Sequence, residues 1–123
     1  MRRNQNREQL GLWLGQARFD VKAARDSLRA GNFEWACFQS QQAAEKALKA
    51  YLHSTGERRV LSHSVAALLD RCARLSPHFR QVSQARELDL YYIPTRYPNG
   101  LPDQIPHHYY QKDQAQRCLR LAH

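Results

Sequence analysis

The sequence predicts an all-α protein, an up-and-down bundle of four to five helices with a Pro-rich loop before the last helix. Three observations carry that prediction. Apolar residues recur in steps of four and three through most of the chain, which is the helical period. Four of the five prolines fall within 93–106, so the interruptions are concentrated in one place. No stretch alternates apolar and polar residues as a half-buried strand does.

The elements follow in order. Residues 1–8 are polar and charged and are expected to fray. A first helix is expected over 9–30, where Leu10, Leu14, Ala17, Val21, Ala24 and Leu28 form one stripe. Gly31 ends it as a C-terminal glycine, and Asn32 is placed to cap the next helix. A link this short lays the two helices antiparallel. The second helix, 32–52, reads NFEWACFQSQQAAEKALKAYL and organises the bundle. It has no internal Gly or Pro and is rich in strong helix formers. Ala36, Ser40, Ala43, Ala47 and Ala50 share one face, and Phe38, Leu48, Tyr51 and Leu52 lie on a neighbouring stripe. Such a helix touches partners on two sides. A loop at 57–61 carries Arg58 and Arg59. Ser62 is then placed to cap a third helix over 63–75, with Val65, Leu68, Leu69, Cys72 and Leu75 facing inward. Ser76-Pro77 ends it and opens a fourth over 77–92, through Val82, Ala85, Leu88 and Tyr91. The segment 93–106, IPTRYPNGLPDQIP, stops any helix. A fifth helix is expected over 107–122, burying Tyr110, Ala115, Cys118, Leu119 and Ala122.

With 123 residues the chain is expected to be a single domain, 1–123. No apolar run approaches the length of a membrane helix, and no apolar h-region follows the basic start, so cytoplasmic residence is expected. Cys37, Cys72 and Cys118 are odd in number and widely spaced, which argues against a disulfide framework and for small buried hydrophobes. No cofactor motif or metal-ligand spacing is present. The net charge is +8, and fifteen of the nineteen basic residues are Arg. Arg binds phosphate in a planar, bidentate way that Lys does not match. Composition of this kind fits a nucleic-acid or nucleotide partner, and it equally fits an Arg-rich coding bias.

Three features carry possible chemistry. The first helix bears a row of Arg18, Lys22, Arg25 and Arg29, either a phosphate track or a solvated face with Lys22 paired to Asp26. The second helix carries Gln41, Gln42, Glu45, Lys46 and Lys49, either a substrate-positioning centre or a solvent face with a Glu45–Lys49 pair. The Pro-rich loop is flanked by Tyr91, Tyr92, Arg96, Tyr97, His107, His108, Tyr109 and Tyr110. Long loops between packed helices are often functional. Aromatic faces stack on bases, and Arg and His bind phosphate. Nucleotide or RNA contacts are therefore expected from Arg96, Tyr92, Tyr97, Tyr109 and Tyr110, together with Glu45 and Lys49.

Several segments together resemble the HEPN domain family (higher eukaryotes and prokaryotes nucleotide-binding). They are Trp35-Ala36-Cys37-Phe38, the run Gln41-Gln42-Ala43-Ala44-Glu45-Lys46-Ala47-Leu48-Lys49-Ala50, His63-Ser64, and Tyr91-Tyr92-Ile93-Pro94-Thr95-Arg96-Tyr97-Pro98. The resemblance implies a helical bundle that forms a homodimer. It also implies a small nucleotidyltransferase as protein partner, the two acting as a toxin–antitoxin-type module. Many members are metal-independent ribonucleases whose motif is an Arg followed, four to six residues later, by His at the start of the last helix. In the toxin group an x-Tyr can follow that His, and the partner can modify the tyrosine with AMP. Here Arg96 matches the Arg, but 101–103 are Leu101, Pro102 and Asp103. The next histidines, His107 and His108, come after ten and eleven intervening residues, and His107-His108-Tyr109 and His108-Tyr109-Tyr110 keep an H-x-Y pattern. Arg58 and His63 have the motif's spacing but lie between the second and third helices, away from the motif's place. Two functions are therefore expected. One is a partner protein that binds nucleotide or RNA without cleaving it. The alternative is an endoribonuclease toxin with Arg96, His107 and His108 as the catalytic candidates.

Overall fold

The computed structural model describes residues 2–57, 60–92, 94–97 and 105–122. Arg58, Arg59, Pro98, Leu101, Pro102 and Asp103 lie outside the described residues. Two long antiparallel helices form the spine, α1 (Arg2–Ala30) and α2 (Phe33–Ser54). Gly31 joins them at φ +81°, a left-handed conformation that glycine reaches without a steric cost. Asn32 does not cap α2 with its side chain. Its backbone does the work instead, donating to the Ser27 carbonyl at 2.9 Å and accepting from Ala36 at 3.0 Å. The first helix also begins earlier than the sequence suggests. Residues 2–8 hold no Gly or Pro, and Arg3, Asn6 and Arg7 lie in a shallow cleft beside Ser54 of α2. That neighbour turns a stretch expected to fray into helix.

Next come α3 (Val65–Leu75), a 3₁₀ segment (Pro77–Tyr91), the short α4 (Pro106–Tyr109) and α5 (Lys112–Ala122). The described residues contain no strand. The core lies between α2, α3, the 3₁₀ segment and α5, around Leu48, Leu52, Leu68, Leu69, Leu88 and Cys118. Ala17 and Ala24 of α1 pack on the small-residue face of α2, where Ala36, Ser40, Ala43 and Ala50 are buried. The three cysteines are fully buried, as expected. Burial pushes the Cys72 thiol up to about 11. The neighbouring Cys118 thiol, together with burial, raises Cys37 further.

Three boundaries differ from the sequence reading. The N-cap of α3 is Ser64, whose Oγ accepts from Ala67 N–H at 3.1 Å. Asp89 completes the cap by accepting from Val65 N–H, Ala66 N–H and Ser64 Oγ. A carboxylate there also meets the positive end of the helix dipole. His63 is thereby left outside the helix. The fourth helix is 3₁₀ rather than α and is interrupted at Val82 (φ −110°, ψ 23°). Leu75, expected inside, is exposed, and so is Val82. The last helix is split. Tyr110 takes an extended conformation (φ −82°, ψ 138°), which turns its ring into the core against Tyr91. Gln111 then caps α5, its N–H donating to Gln114 Oε1 at 2.8 Å in the manner of a capping box.

Candidate functional site

One stripe of α2 positions the site. Glu34, Phe38, Gln41, Glu45, Lys49 and His53 follow one another in steps of four, three, four, four and four, so they share a face. All except the half-buried Phe38 are buried. Buried charges require partners, and each member finds one.

At the N-terminal end Glu34, with 5% of its side chain exposed, accepts from His107 Nδ1 of α4 at 2.8 Å. A carboxylate that holds Nδ1 fixes the imidazole tautomer and orientation. Among the described residues His107 Nε2 has no hydrogen-bond partner. One turn on, Phe38 supports Arg96. The guanidinium carbon lies 4.6 Å from the Phe38 ring centre, 4.7 Å from Tyr92 and 5.3 Å from Tyr97. Arg96 Nε donates to the Tyr92 carbonyl at 3.0 Å, and Thr95 Oγ1 donates to the Tyr91 carbonyl. These two bonds satisfy carbonyls at the end of the 3₁₀ segment and fix the turn that carries Arg96. Among the described residues the terminal nitrogens of the guanidinium have no hydrogen-bond partner.

Arg96 and His107 are thus brought together despite ten intervening residues. With Glu34, Trp35, Thr95 and Ile105 they line one cleft of about 280 Å³. Of its lining, Trp35 and Ile105 stand exposed. Larger clefts lie elsewhere among the described residues. One of about 340 Å³ between α1 and α2 is walled by Leu14, Val21 and Ala47 with Arg18 and Arg25 at its side. Another, about 580 Å³, lies between α3 and the 3₁₀ segment beside Arg74, Arg80 and Arg86. A third, about 500 Å³, is lined by Gln84, Glu87, Leu90 and Arg117. None of these joins an arginine to a histidine, so none offers a cation beside a proton-transfer group.

The remaining expected residues separate. Tyr92 and Tyr97 touch the Arg96 guanidinium, and Tyr109 is 37% exposed. His108 is exposed, its ring tilted at 56° against that of His107 with the centres 5.7 Å apart. Tyr110 is a core residue, 5% exposed, and burial pushes its phenol up to about 12. Its ring presents no face to a ligand. Glu45 and Lys49 form neither a solvent face nor a direct contact surface. Both are buried and pair at 3.1 Å, with Lys49 Nζ 5.6 Å from the Trp13 ring centre and Trp13 stacked on His53. Lys22 pairs with Asp26 at 2.7 Å and holds that carboxyl below its usual range.

Two participants were given no functional role by the sequence reading. Glu34 is one; the eleven-residue separation of Glu34 and Glu45, three helical turns, was the available signal. His63 is the other. Its Nδ1 lies 3.4 Å from Glu45 Oε2, the same oxygen that Lys49 contacts, and its ring stacks on Tyr92 at 5.6 Å. Gln41 Nε2 donates to the His63 carbonyl at 3.1 Å. Among the described residues no set of three His, Cys, Asp or Glu side chains converges as a metal site requires. No helix among them is long and apolar enough to cross a membrane.

Comparison with known proteins agrees with this architecture. The HEPN domain family model matches residues 10–123. The crystal structure of TT1696 from Thermus thermophilus is 39% identical, with a TM-score of 0.81 over 93% of this chain and 90% of that one. The crystal structure of ST0689, an archaeal HEPN homologue, is 36% identical, with a TM-score of 0.73 over 92% of this chain and 88% of that one. No curated protein matches significantly. An all-α bundle matched over nearly its whole length, and two solved structures of the same shape at more than a third identity, lead to one conclusion: the chain belongs to the HEPN domain family.

Proposed function

We propose that this HEPN-domain chain binds nucleotide or RNA in the cleft between Arg96 and His107. The observation that carries the reading is the convergence of those two side chains on one cleft of about 280 Å³. A guanidinium seated on three aromatic rings is pre-organised for bidentate phosphate contact. The exposed rings of Trp35 and Tyr97 are suited to stacking on bases. The family resemblance extends the reading to a homodimer that pairs with a small nucleotidyltransferase in a toxin–antitoxin-type module. If the partner modifies a tyrosine, the exposed Tyr109 fits and the buried Tyr110 does not. The pairing is tested by a nucleotidyltransferase gene beside this one whose product co-purifies with the chain. A product that stays separate at micromolar concentration counts against it.

A second reading, an endoribonuclease toxin, is favoured by the Glu34–His107 pair. With Nδ1 held, His107 Nε2 can take the proton of a 2′-hydroxyl as that oxygen attacks phosphorus and the bond to the 5′-oxygen breaks, the departing oxygen taking a proton from solvent, while Arg96 stabilises the charge on the phosphoryl oxygens. RNA binding and RNA cleavage by wild type and His107→Ala separate the two readings. Under the second, wild type cleaves, and His107→Ala loses at least a hundredfold in rate while retaining most of its affinity. Under the first, wild type binds without cleaving. Absence of binding by wild type overturns both.

A further inference from the structure

The Arg96–His107 cleft is not the end of the polar stripe on α2. Three turns beyond Glu34 the same face presents Glu45, and Glu45 holds a second imidazole, that of His63. The two pairs are alike in construction. In each, a carboxylate buried on α2 lies against Nδ1 of a histidine from outside the helix, and that histidine is more than half exposed: His107 at 52% and His63 at 59%. Arg96 sits between them. Its guanidinium rests on Tyr92, and His63 stacks on the same Tyr92 ring with an interplanar angle of 14°. A continuous line therefore runs from His107 past Arg96 and Tyr92 to His63.

We propose that this line is a track for a short single strand of RNA, with the His63–Tyr92 stack as a base-binding platform at its far end; the proposal rests on the nucleotide-binding reading of the Arg96–His107 cleft. Eleven residues of α2 separate the two carboxylates, a span of about 16 Å. A mononucleotide bound at Arg96 does not cover that span. About five stacked nucleotides do, at the 3.4 Å per strand of a stacked helix, and a stretched strand needs fewer. The platform has the properties that stacking demands. Tyr92 backs one face of the imidazole, Glu45 fixes its edge, and the side chain remains largely in solvent. The arrangement explains why a histidine beside a buried Glu45–Lys49 pair lies outside α3. The Ser64 cap starts the helix just after it and leaves its ring free to turn toward α2.

Fluorescence anisotropy of labelled homopolymeric RNA, from a mononucleotide to about eight nucleotides, tests the track with wild type, His63→Ala and His63→Gln. Wild type is expected to gain affinity with each added nucleotide up to about five and then to level off. Both variants are expected to bind the mononucleotide as wild type does and to lose about tenfold on the longer strands, the loss of one stacked base. His63→Gln keeps a polar group beside Glu45 and guards against loss of folding in His63→Ala, and melting curves accompany both. Variants that follow wild type at every length overturn the platform. A wild type that binds one nucleotide as tightly as eight overturns the track while leaving the Arg96–His107 cleft in place. No binding at any length overturns the cleft as well.

Discussion

Glu34 is a carboxylate taken out of water for the sake of one histidine, and its energetics are testable without any ligand. Removing the imidazole in His107→Ala leaves a buried acceptor without its donor, which costs about 1–3 kcal/mol. The value should fall toward the lower end, because the cleft admits water to the exposed side. Glu34→Gln keeps the volume and removes the charge, so it should cost less, about 1 kcal/mol. Urea denaturation reads both, and a neutral His107→Ala would show that the pair does not hold Glu34. Cys72 and Tyr110 set an alkaline limit. Burial raises Cys72 from 9.0 to about 11 and Tyr110 from 10.0 to about 12. The unfolded chain therefore loses these protons first. Their contribution is complete below the unfolded values and is lost as pH rises toward the folded ones. Each pH unit of separation is worth at most about 1.4 kcal/mol. The melting temperature should hold to about pH 9 and fall as pH rises toward 12. Cys72→Ala should lessen the early part of the fall, to which the raised Cys37 thiol also contributes, and an unchanged curve for that variant would contradict the assignment.

Elements are held by caps and by face packing. Asp89 receives three hydrogen bonds at the start of α3, whereas Ser64 receives one from Ala67. Asp89→Ala should therefore cost more than Ser64→Ala, which should lie near the usual cap value of about 1 kcal/mol. The reverse order in melting experiments would reject this account of the cap. On α2, Ala43 and Ala47 both line the open groove beside Leu14 and Val21, but Ala43 is 1% exposed whereas Ala47 is only half-buried. Ala43→Leu should cost about 1–3 kcal/mol, and Ala47→Leu clearly less. Equal costs would mean that the groove is closed in solution. The helical stripes of α1, α2 and α3 were legible because each repeats in fours and threes. The 3₁₀ segment left its own trace: Val82, Ala85, Leu88 and Tyr91 recur strictly in threes, the period of a 3₁₀ helix. The break at Tyr110 had no local trace, since it exists to bury a ring against Tyr91, a tertiary demand.

The whole molecule places its chemistry along one helix face and brings distant segments to it. Arg96 and the loop aromatics were legible from their density near the prolines. The roles of Glu34 and His63 were not, because they depend on which loop crosses which turn of α2. Only the eleven-residue spacing of Glu34 and Glu45 on α2 was visible beforehand. The expected homodimer gives a mass near twice 14.4 kDa by light scattering, and a monomer at high micromolar concentration contradicts it. The central claim is that Arg96 holds phosphate at the cleft. Filter binding of single-stranded RNA across a range of salt concentrations, with wild type, Arg96→Lys and Arg96→Ala, tests it most directly when melting curves are taken on the same samples. Arg96→Ala should bind several-fold more weakly, with a salt slope shallower by about 0.7, one phosphate contact on a single strand. Arg96→Lys should recover only part of the loss. A lowered melting temperature with unchanged affinity and unchanged salt slope would show that Arg96 serves the fold alone, and the cleft would not be the binding site.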